Sequence, residues 1–509
     1  MESLALHLSK QYHVTFMTDS DASVRNKEIY RLADVDFVYK SNRTSYIKME
    51  VKDNFKSAFS IVKQVKLKTE EGMTSLFSQR EFLDQLKSSD FSCMLYNSMD
   101  YGMPVLCKYL NLTCLQVITS GLGGPNNPLS LELMDTVPHT ISSDTDLIGL
   151  RKRFKNFVFY MLDHYLRLSY FYPGAEAIAK SYGLFPSEEK QSFWQLAANT
   201  PAHSIIYTND AIDCNTPLSD SYTRVGAAML SNTTLDSSYQ AVMDSADHGV
   251  VLVAFGKGAH KLSLQFFQHL ITCFGALPFT FIMSVGSSSS VRELQTMSES
   301  IPSNVYLAQS VPQNSLLAHK NCRLFVTHAG IGSTTEAIYH AVPVITIPFY
   351  ADQQKNAVKL TKILKMGVNM NPGSLDSISF KRVIQRVLND SQFKEKAQEA
   401  SRTMRNCGEG TADERVMSSV KIALGTSSFQ TRPDSTKHWV HFIKVDILII
   451  LVIFVTCLLG VIIGALIVLK RIAFGLRKKS SRCMKASTFV VSYTFGLVSL
   501  LLYIQYFNH

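Results

Sequence analysis

Short apolar runs, rich in β-branched residues, alternate with helix-length amphipathic segments through most of this chain. In the first half such runs fall at 12–17, 91–96, 115–119 and 204–208. In the second half they fall at 249–255, 279–285, 324–327 and 344–347. Runs of this kind read as strands buried on both faces, and the segments between them as the crossover helices of parallel sheets. The pattern predicts an α/β chain with two doubly wound, Rossmann-like domains, at 1–235 and 246–430, linked through the polar stretch 231–248. Ligands of such folds sit beyond the carboxyl ends of the strands, here in the cleft between the domains.

The pattern changes towards the C-terminus. Residues 447–469 form 23 consecutive positions without a charge, against the ~20 needed to cross a bilayer. This predicts a transmembrane helix. The stretch KRIAFGLRKKSSRCMK at 470–485 follows, with seven basic residues and no acid. The positive-inside rule makes it a cytoplasmic loop and puts everything before 447 in the lumen or outside. A second uncharged stretch, 486–507, is richer in Ser, Thr and Tyr; it reads as a second span in preference to a segment lying in the interface.

Composition sharpens this picture. Hydrophobic residues at 46% against 18% charged exclude a disordered chain, and 25 Gly, 15 Pro and 9 Cys exclude collagen-like and disulfide-scaffold classes. The net charge of +10 would suggest a nucleic-acid or membrane partner, but seven of those charges lie in the 470–485 loop. The membrane is therefore the expected partner and nucleic acid is not. Four glycosylation sequons, at Asn42, Asn111, Asn232 and Asn389, agree with lumenal exposure and a glycoprotein. Seven cysteines precede 447, an odd number whose pairing is unreadable, and no Cys/His spacing suggests a metal site. The opening MESLALHLSK is too polar and short for a signal peptide. Leu4 and Leu8 read as the end of a helix before the strand 12–17. A βαβ unit starts on a strand, so a signal peptide and a first strand are expected ahead of Met1.

The chemistry-bearing motif is LFVTHAGIGSTTEAIYHAVPVITIPFYADQQKNA. It opens on the strand 324–327, turns through Gly330 and Gly332, and enters a helix expected to start after Ser333. Unpaired backbone N–H groups and the helix dipole suit that N-terminus to a pyrophosphate, and glycines let a ligand approach the backbone. His328 can donate to a phosphate oxygen. Ser333-Thr-Thr-Glu336 also reads as a capping box, which needs no ligand. Asp352 and Gln353, beyond the strand 344–347, can hydrogen-bond sugar hydroxyls or cap the helix that holds Leu360 and Leu364. The glycines at 121–124 and 256–258 complete neither a dinucleotide fingerprint nor a P-loop and are read as turns.

At 312–356 the sequence resembles the signature of the UDP-glycosyltransferases, most closely the membrane-bound UDP-glucuronosyltransferases. PQNSLLAH, FVTHAG, the position of Glu336, VPVITIPFYADQ and Asn356 fall in register. Weaker resemblance covers LHLSKQYHVTF, FSCMLYNSMDYGMPVLCKYLNL, GVVLVAFG and the C-terminal anchor. The resemblance implies the two-domain GT-B fold, with UDP-sugar as co-substrate and neither cofactor nor metal. It implies inverting transfer of a sugar, glucuronate above all, to a hydroxyl of a small lipophilic acceptor. It implies an endoplasmic-reticulum membrane enzyme with lumenal domains, and leaves a homo- or hetero-oligomer open. By the same resemblance Gln313 contacts uracil or ribose, and His328, Gly330, Gly332 and Ser333 hold the diphosphate. Glu336 binds ribose hydroxyls, and Asp352 and Gln353 bind the sugar.

The sequence also departs from that pattern. Ser310 stands where the family has a Trp that stacks on uracil, and Lys257 stands where it has a small hydroxyl residue. Lys257 could still meet a phosphate as a point charge. The family's general base, a His, would lie ahead of Met1, and the acid that orients it aligns with Asn97. An amide does not stabilise an imidazolium as a carboxylate does, and Asp100 stands three residues further on. The chain as numbered is therefore expected to be nearly inactive. The rival reading is a catalytically impaired homologue that binds a UDP-sugar or regulates a partner enzyme; a third is a membrane protein that holds a lipid in the first-half pocket.

Overall fold

The computed structural model describes residues 66–119, 148–185, 193–256, 262–297 and 301–425 with short breaks, the stretches 11–16 and 35–37, and scattered positions near either end. Three parallel sheets appear among them. Strands β1 (Val14–Phe16) and β2 (Val35–Phe37) form a pair. Strands β3 (Cys93–Asn97), β4 (Thr113–Ile118), β5 (Pro201–Ile206) and β6 (Tyr222–Arg224) lie side by side in chain order. The second half contributes β7 (Val250–Ala254), β8 (Thr280–Ser284), β9 (Val305–Ala308), β10 (Cys322–Thr327), β11 (Val344–Thr346) and β12 (Gly367–Asn369). They run in the order β12-β11-β10-β7-β8-β9. Every predicted apolar run coincides with a strand.

The order reverses between β7 and β10. The chain winds outward through β8 and β9, then returns to the other side of β7. Crossovers leave in opposite directions there, so a crevice opens at the carboxyl ends of these two strands.

Both faces of the six-stranded sheet are covered, as continuously apolar strands require. Val251 and Val253 of β7 join Leu324 and Val326 of β10 under the helices Leu264–Gly275 and Ser377–Asn389, with Phe267, Phe274 and Phe380 between. Val250, Leu252 and Phe325 point the other way, onto Leu316, Ile338 and Ala400. Side-chain caps fix where several helices begin. Asp376 accepts from the N–H groups of Ile378 and Ser379, and Ser263 accepts from that of Phe266.

Two boundaries differ from the sequence reading. The stretch 231–248 is not a plain linker: it contains the helix Ser237–Asp244, capped by Asp236, whose Met243 is fully buried in the second-half core. The helix Ala412–Gly425, which a boundary at 430 assigns to the second half, crosses back. Its Val416, Val420 and Ala423 pack with Leu115, Val117, Ile205 and Val225 of the first-half sheet, beside Leu4 and Leu8.

Three ties gather where the halves meet. A disulfide joins Cys214, just after the first-half helix Asp210–Asp213, to Cys407, just after the second-half helix Ser391–Arg405. Lys359 Nζ lies 2.9 Å from both carboxylate oxygens of Asp213. Arg415 donates to the carbonyls of Arg224 at 2.8 Å and Cys407 at 3.1 Å. A second disulfide, Cys107–Cys114, lies within the first half. Cys93, Cys273 and Cys322 are thiols.

Among the described residues no helix is long and apolar enough to cross a membrane. The 447–469 run lies largely outside them. Its described positions, between 455 and 467, are helical, with Val455, Leu459, Ile462, Ile463 and Leu466 exposed. The loop 470–485, the stretch 486–507, the turns at 121–124 and 257–258, and Asn42 and Asn232 also lie outside the described residues. Asn111 and Asn389 are exposed.

Candidate functional site

At the switch point, β7 runs into Gly256 with φ +69°, and β10 runs into His328 and then Ala329 with φ +61°. A left-handed conformation is easy for glycine and strained for alanine. Ala329 is held there from two sides. Its N–H donates to Thr327 Oγ1 at 3.3 Å, and its carbonyl accepts from Asn356 Nδ2 at 3.0 Å.

The helix that follows is Ile331–Tyr339, with Gly330 at its N-cap. It begins two residues before Ser333, so Ser333 is not the cap and the Ser333–Glu336 capping box does not form. Gly330 supplies no side-chain cap. Ser333 instead sits in the first turn, with its hydroxyl accepting from Gln313 Nε2 at 3.2 Å. The glycines of the turn have separate tasks. A Cβ on Gly330 would lie 2.5 Å from His328 Nε2, and one on Gly256 would lie 2.8 Å from His328 Cε1. Both glycines therefore make room for the imidazole. Gly332 alone borders open space, with nothing within 4 Å of a Cβ placed there. Of the turn's glycines, Gly332 is the one that leaves room for the ligand approach expected of the whole turn.

His328 is enclosed between these glycines, and its Nδ1 has no hydrogen-bond partner. Burial pushes its pKa down to about 4, so the ring is neutral near pH 7. Glu336, one turn into the helix, is pushed up to about 7 by burial, against the opposing hydrogen bond from Gln313. That bond, Gln313 Nε2 to Glu336 Oε2, measures 2.5 Å. Gln313 opens the helix Gln313–Ala318 and from there bridges Ser333 and Glu336.

The loop after β11 adds the third wall. Asp352 precedes the helix Gln353–Val358 but makes no side-chain cap. Its carboxylate, raised by burial, accepts instead from Asn356 Nδ2 at 2.8 Å and from the N–H of Ile331. An acid therefore stands beside the positive end of the helix Ile331–Tyr339. Gln353 is buried, with Oε1 accepting from the Phe349 N–H at 2.8 Å. Its amide oxygen braces the loop.

The second half thus brings Gln313, His328, Gly330, Gly332, Ser333, Glu336, Asp352 and Gln353 into one region. Asn97 lies apart from them, at the carboxyl end of β3. Its Nδ2 donates to Thr119 Oγ1 across the mouth of the first-half sheet at 3.3 Å. Ser310 is exposed. Sequence reasoning gave no task to Asn356, which joins the loops after β10 and β11, although its spacing four residues from Asp352 on a helix was the available signal. It also passed over Lys355, a buried cation whose pKa falls to about 7 through desolvation and the charge of Lys359. Helix burial on that side comes from non-local packing, which local patterning does not carry.

The arrangement can hold a diphosphate. The N–H groups of a helix's first turn lack intrahelical partners; that of Ile331 is taken by Asp352, leaving those of Gly332 and Ser333 beneath the opening at Gly332. Glu336 and Gln313 offer an acceptor and donor for vicinal hydroxyls.

Known proteins share this chain's sequence and fold. Residues 5–418 match the protein family described as UDP-glucoronosyl and UDP-glucosyl transferase. The chain is 26% identical over 367 residues to mouse (Mus musculus) UDP-glucuronosyltransferase 3A2, covering 69% of this chain and 66% of that one. It is 23% identical over 402 residues to rat (Rattus norvegicus) 2-hydroxyacylsphingosine 1-beta-galactosyltransferase, covering 78% and 72%. The matches thus span only some two thirds to three quarters of these relatives' lengths. Among solved structures, the glycotransferase of kitacinnamycin superposes with a TM-score of 0.56 at 18% identity, covering 83% of this chain and 94% of that one. At that identity the likeness establishes the fold, a GT-B pair of Rossmann-like domains.

Proposed function

The chain belongs to the UDP-glucoronosyl and UDP-glucosyl transferase family, and on that premise we propose that it transfers a sugar from a UDP-sugar to a hydroxyl of a small lipophilic acceptor. The carrying observation is the helix start at Ile331–Ser333, open at Gly332 and flanked by His328, Glu336 and Asp352. In the proposed reaction the acceptor oxygen attacks the anomeric carbon from the face opposite UDP. A carbon–oxygen bond forms, the bond to the diphosphate oxygen breaks with its electron pair staying on UDP, and the acceptor proton passes to solvent water. The configuration inverts. Charge developing on UDP meets preorganised N–H donors and His328, the kind of stabilisation that needs no reorganisation at the moment of reaction. We assign Glu336 and Gln313 to the ribose, and Asp352 with Gln353 to the sugar side. Glucuronate is the proposed sugar.

We place the two domains on the lumenal side of the endoplasmic reticulum, anchored by 447–469. The disulfides Cys107–Cys114 and Cys214–Cys407 support an oxidising compartment. The basic loop supports the orientation.

The full chain in microsomes, offered UDP-glucuronate, UDP-glucose and UDP-galactose with a panel of lipophilic phenols, should show low turnover that is highest with UDP-glucuronate. UDP should raise the melting temperature, and His328→Ala and Glu336→Ala should each weaken that protection. A chain that UDP does not protect would sink the donor-site assignment. Protection without turnover of any donor would sink the transferase reading while leaving UDP binding in place.

A further inference from the structure

The sequon at Asn111 sits in a corner that the fold closes twice. The helix Met103–Leu110 ends in Asn111, whose φ of +53° is left-handed. The Leu112 N–H donates to the Cys107 carbonyl at 3.1 Å, and the Asn111 N–H to the Lys108 carbonyl at 3.2 Å. These two bonds make a Schellman ending, with asparagine in place of the usual glycine at the left-handed position. Two residues on, Thr113 opens β4 and pairs with Cys93 of β3. The disulfide Cys107–Cys114 then ties the last turn of the helix to the strand, both cysteines being buried. Asn111, Leu112 and Thr113, which are the whole sequon, lie inside the ring it closes.

The left-handed ending alone explains an asparagine at 111, but it does not ask for a hydroxyl two residues later. Among the described residues, no hydrogen bond engages the side chain of either Asn111 or Thr113. The two groups that glycosylation requires are thus unused by the fold. An acceptor sequon has to be offered as an accessible surface segment. In the closed corner Asn111 is exposed, but Thr113 is half-buried at the start of a paired strand. The folded, disulfide-bonded corner therefore presents the amide without the hydroxyl, and the open one presents both.

We propose that Asn111 carries an N-linked glycan added before Cys107 and Cys114 are oxidised, and that their oxidation shuts the sequon. This rests on the lumenal placement proposed above. In the first step Asn111 Nδ2 attacks the anomeric carbon of a lipid-diphosphate-linked oligosaccharide. A carbon–nitrogen bond forms, the bond to the diphosphate oxygen breaks with its electron pair staying on the lipid diphosphate, and an amide proton passes to solvent water. In the second step the two thiols exchange with the disulfide of a lumenal oxidoreductase. That disulfide takes up their two electrons and two protons and becomes a dithiol. Where the second step comes first, the helix end and the strand are already tied and the chain leaves the lumenal transferase bare at Asn111. The two modifications compete for one corner, and each chain records which came first.

The full chain, given a cleavable signal peptide ahead of Met1 so that entry into the lumen is assured, is expressed in cultured mammalian cells. Occupancy is read by peptide mass spectrometry after an amidase that converts each glycosylated Asn to Asp. Asn111 should be occupied in a fraction of the parent chains, and Cys107→Ser with Cys114→Ser should raise that fraction about two-fold or more. Asn389 is the internal reference. It is exposed between the helices Ser377–Asn389 and Ser391–Arg405, with no disulfide next to it, and its occupancy should not change. Asn111→Gly suits the left-handed ending and should remove the glycan while keeping the corner. Thr113→Val should remove it too, and Thr113→Ser should keep it. A bare Asn111 in both the parent and the double variant overturns the proposal. The lumenal placement is read separately, by protease protection of the chain without the added peptide in intact microsomes. Equal occupancy of Asn111 with and without the cysteines also overturns the proposal. So does a rise at Asn389 in step with Asn111, which would mark slow folding of the whole chain in place of a contest at one corner.

Discussion

At the scale of single residues, burial moves Glu336 away from its ordinary protonation. Glu336 has its folded pKa raised from 4.5 to about 7. A raised carboxyl pKa means stability that is complete below the unfolded value and is lost as pH rises through the folded one. Glu336→Gln should therefore raise the melting temperature at pH 8, by a few degrees for a gain on the order of 2 kcal/mol. The gain should shrink towards zero near pH 4.5. Affinity for UDP should fall at the same time, because a carboxylate's charge-assisted bonds to hydroxyls are lost. A lower melting temperature at pH 8 would show that the Gln313–Glu336 bond outweighs the burial of the charge. The glycines give a sharper contrast. Gly330→Ala should displace His328, since its Cβ would fall 2.5 Å from Nε2, and should cost stability and UDP affinity together. Gly332→Ala meets no atom of the protein and removes a helix-interior glycine, so it should be neutral or stabilising by up to about 1 kcal/mol. Its UDP affinity should nevertheless drop, because the added methyl fills the ligand's approach. A melt and a UDP titration of each variant separate the two roles, which the sequence motif presented as one.

At the scale of elements, strands and helices were legible where a local signal exists. Buried parallel strands carry their own signature, so β3–β5, β7, β8, β10 and β11 fall on the expected runs. The helix start did not follow the expected rule. Ser-Thr-Thr-Glu is a good capping sequence, yet the helix begins at Ile331 because Asn356 and Thr327 hold Ala329 in a left-handed turn. That lets Asp352 accept from the Ile331 N–H, a cap supplied from another element that local sequence cannot show. Asn356 joins these elements, and Asn356→Ala should strip a donor from two buried acceptors at once. Its cost should be about 1–3 kcal/mol per acceptor left unpaired, with UDP affinity reduced as the turn relaxes. Asn356→Asp, which keeps the size but adds a charge beside Asp352, should be at least as harmful. An Asn356→Ala protein that melts like the parent and binds UDP equally well would remove the residue from the site's support.

At the scale of the whole molecule, what the sequence could not show is how the halves are held together. Seven cysteines before the apolar run gave no pairing, and the partners Cys214 and Cys407 lie 193 residues apart. The packing of the helix Asp210–Asp213 against the helix Ser391–Arg405 brings them to one edge of the molecule, beside Asp213–Lys359 and the Arg415 bonds. The proposed UDP-binding groups, by contrast, all belong to the second half. The two functions should then separate. Cys214→Ser with Cys407→Ser should lower the melting temperature, since closing so long a loop in the unfolded chain is worth at most about 5 kcal/mol. Lys359→Met should add to the loss, because it removes the ion pair of a buried Asp213 carboxylate. UDP affinity should stay within about two-fold of the parent at temperatures well below the melt. Turnover should fall by more, because alignment of an acceptor held by one half with a donor held by the other depends on the closed geometry, where misplacement by an ångström can cost ~10²-fold. Parallel loss of UDP affinity and turnover would instead make these ties part of the second half's own fold.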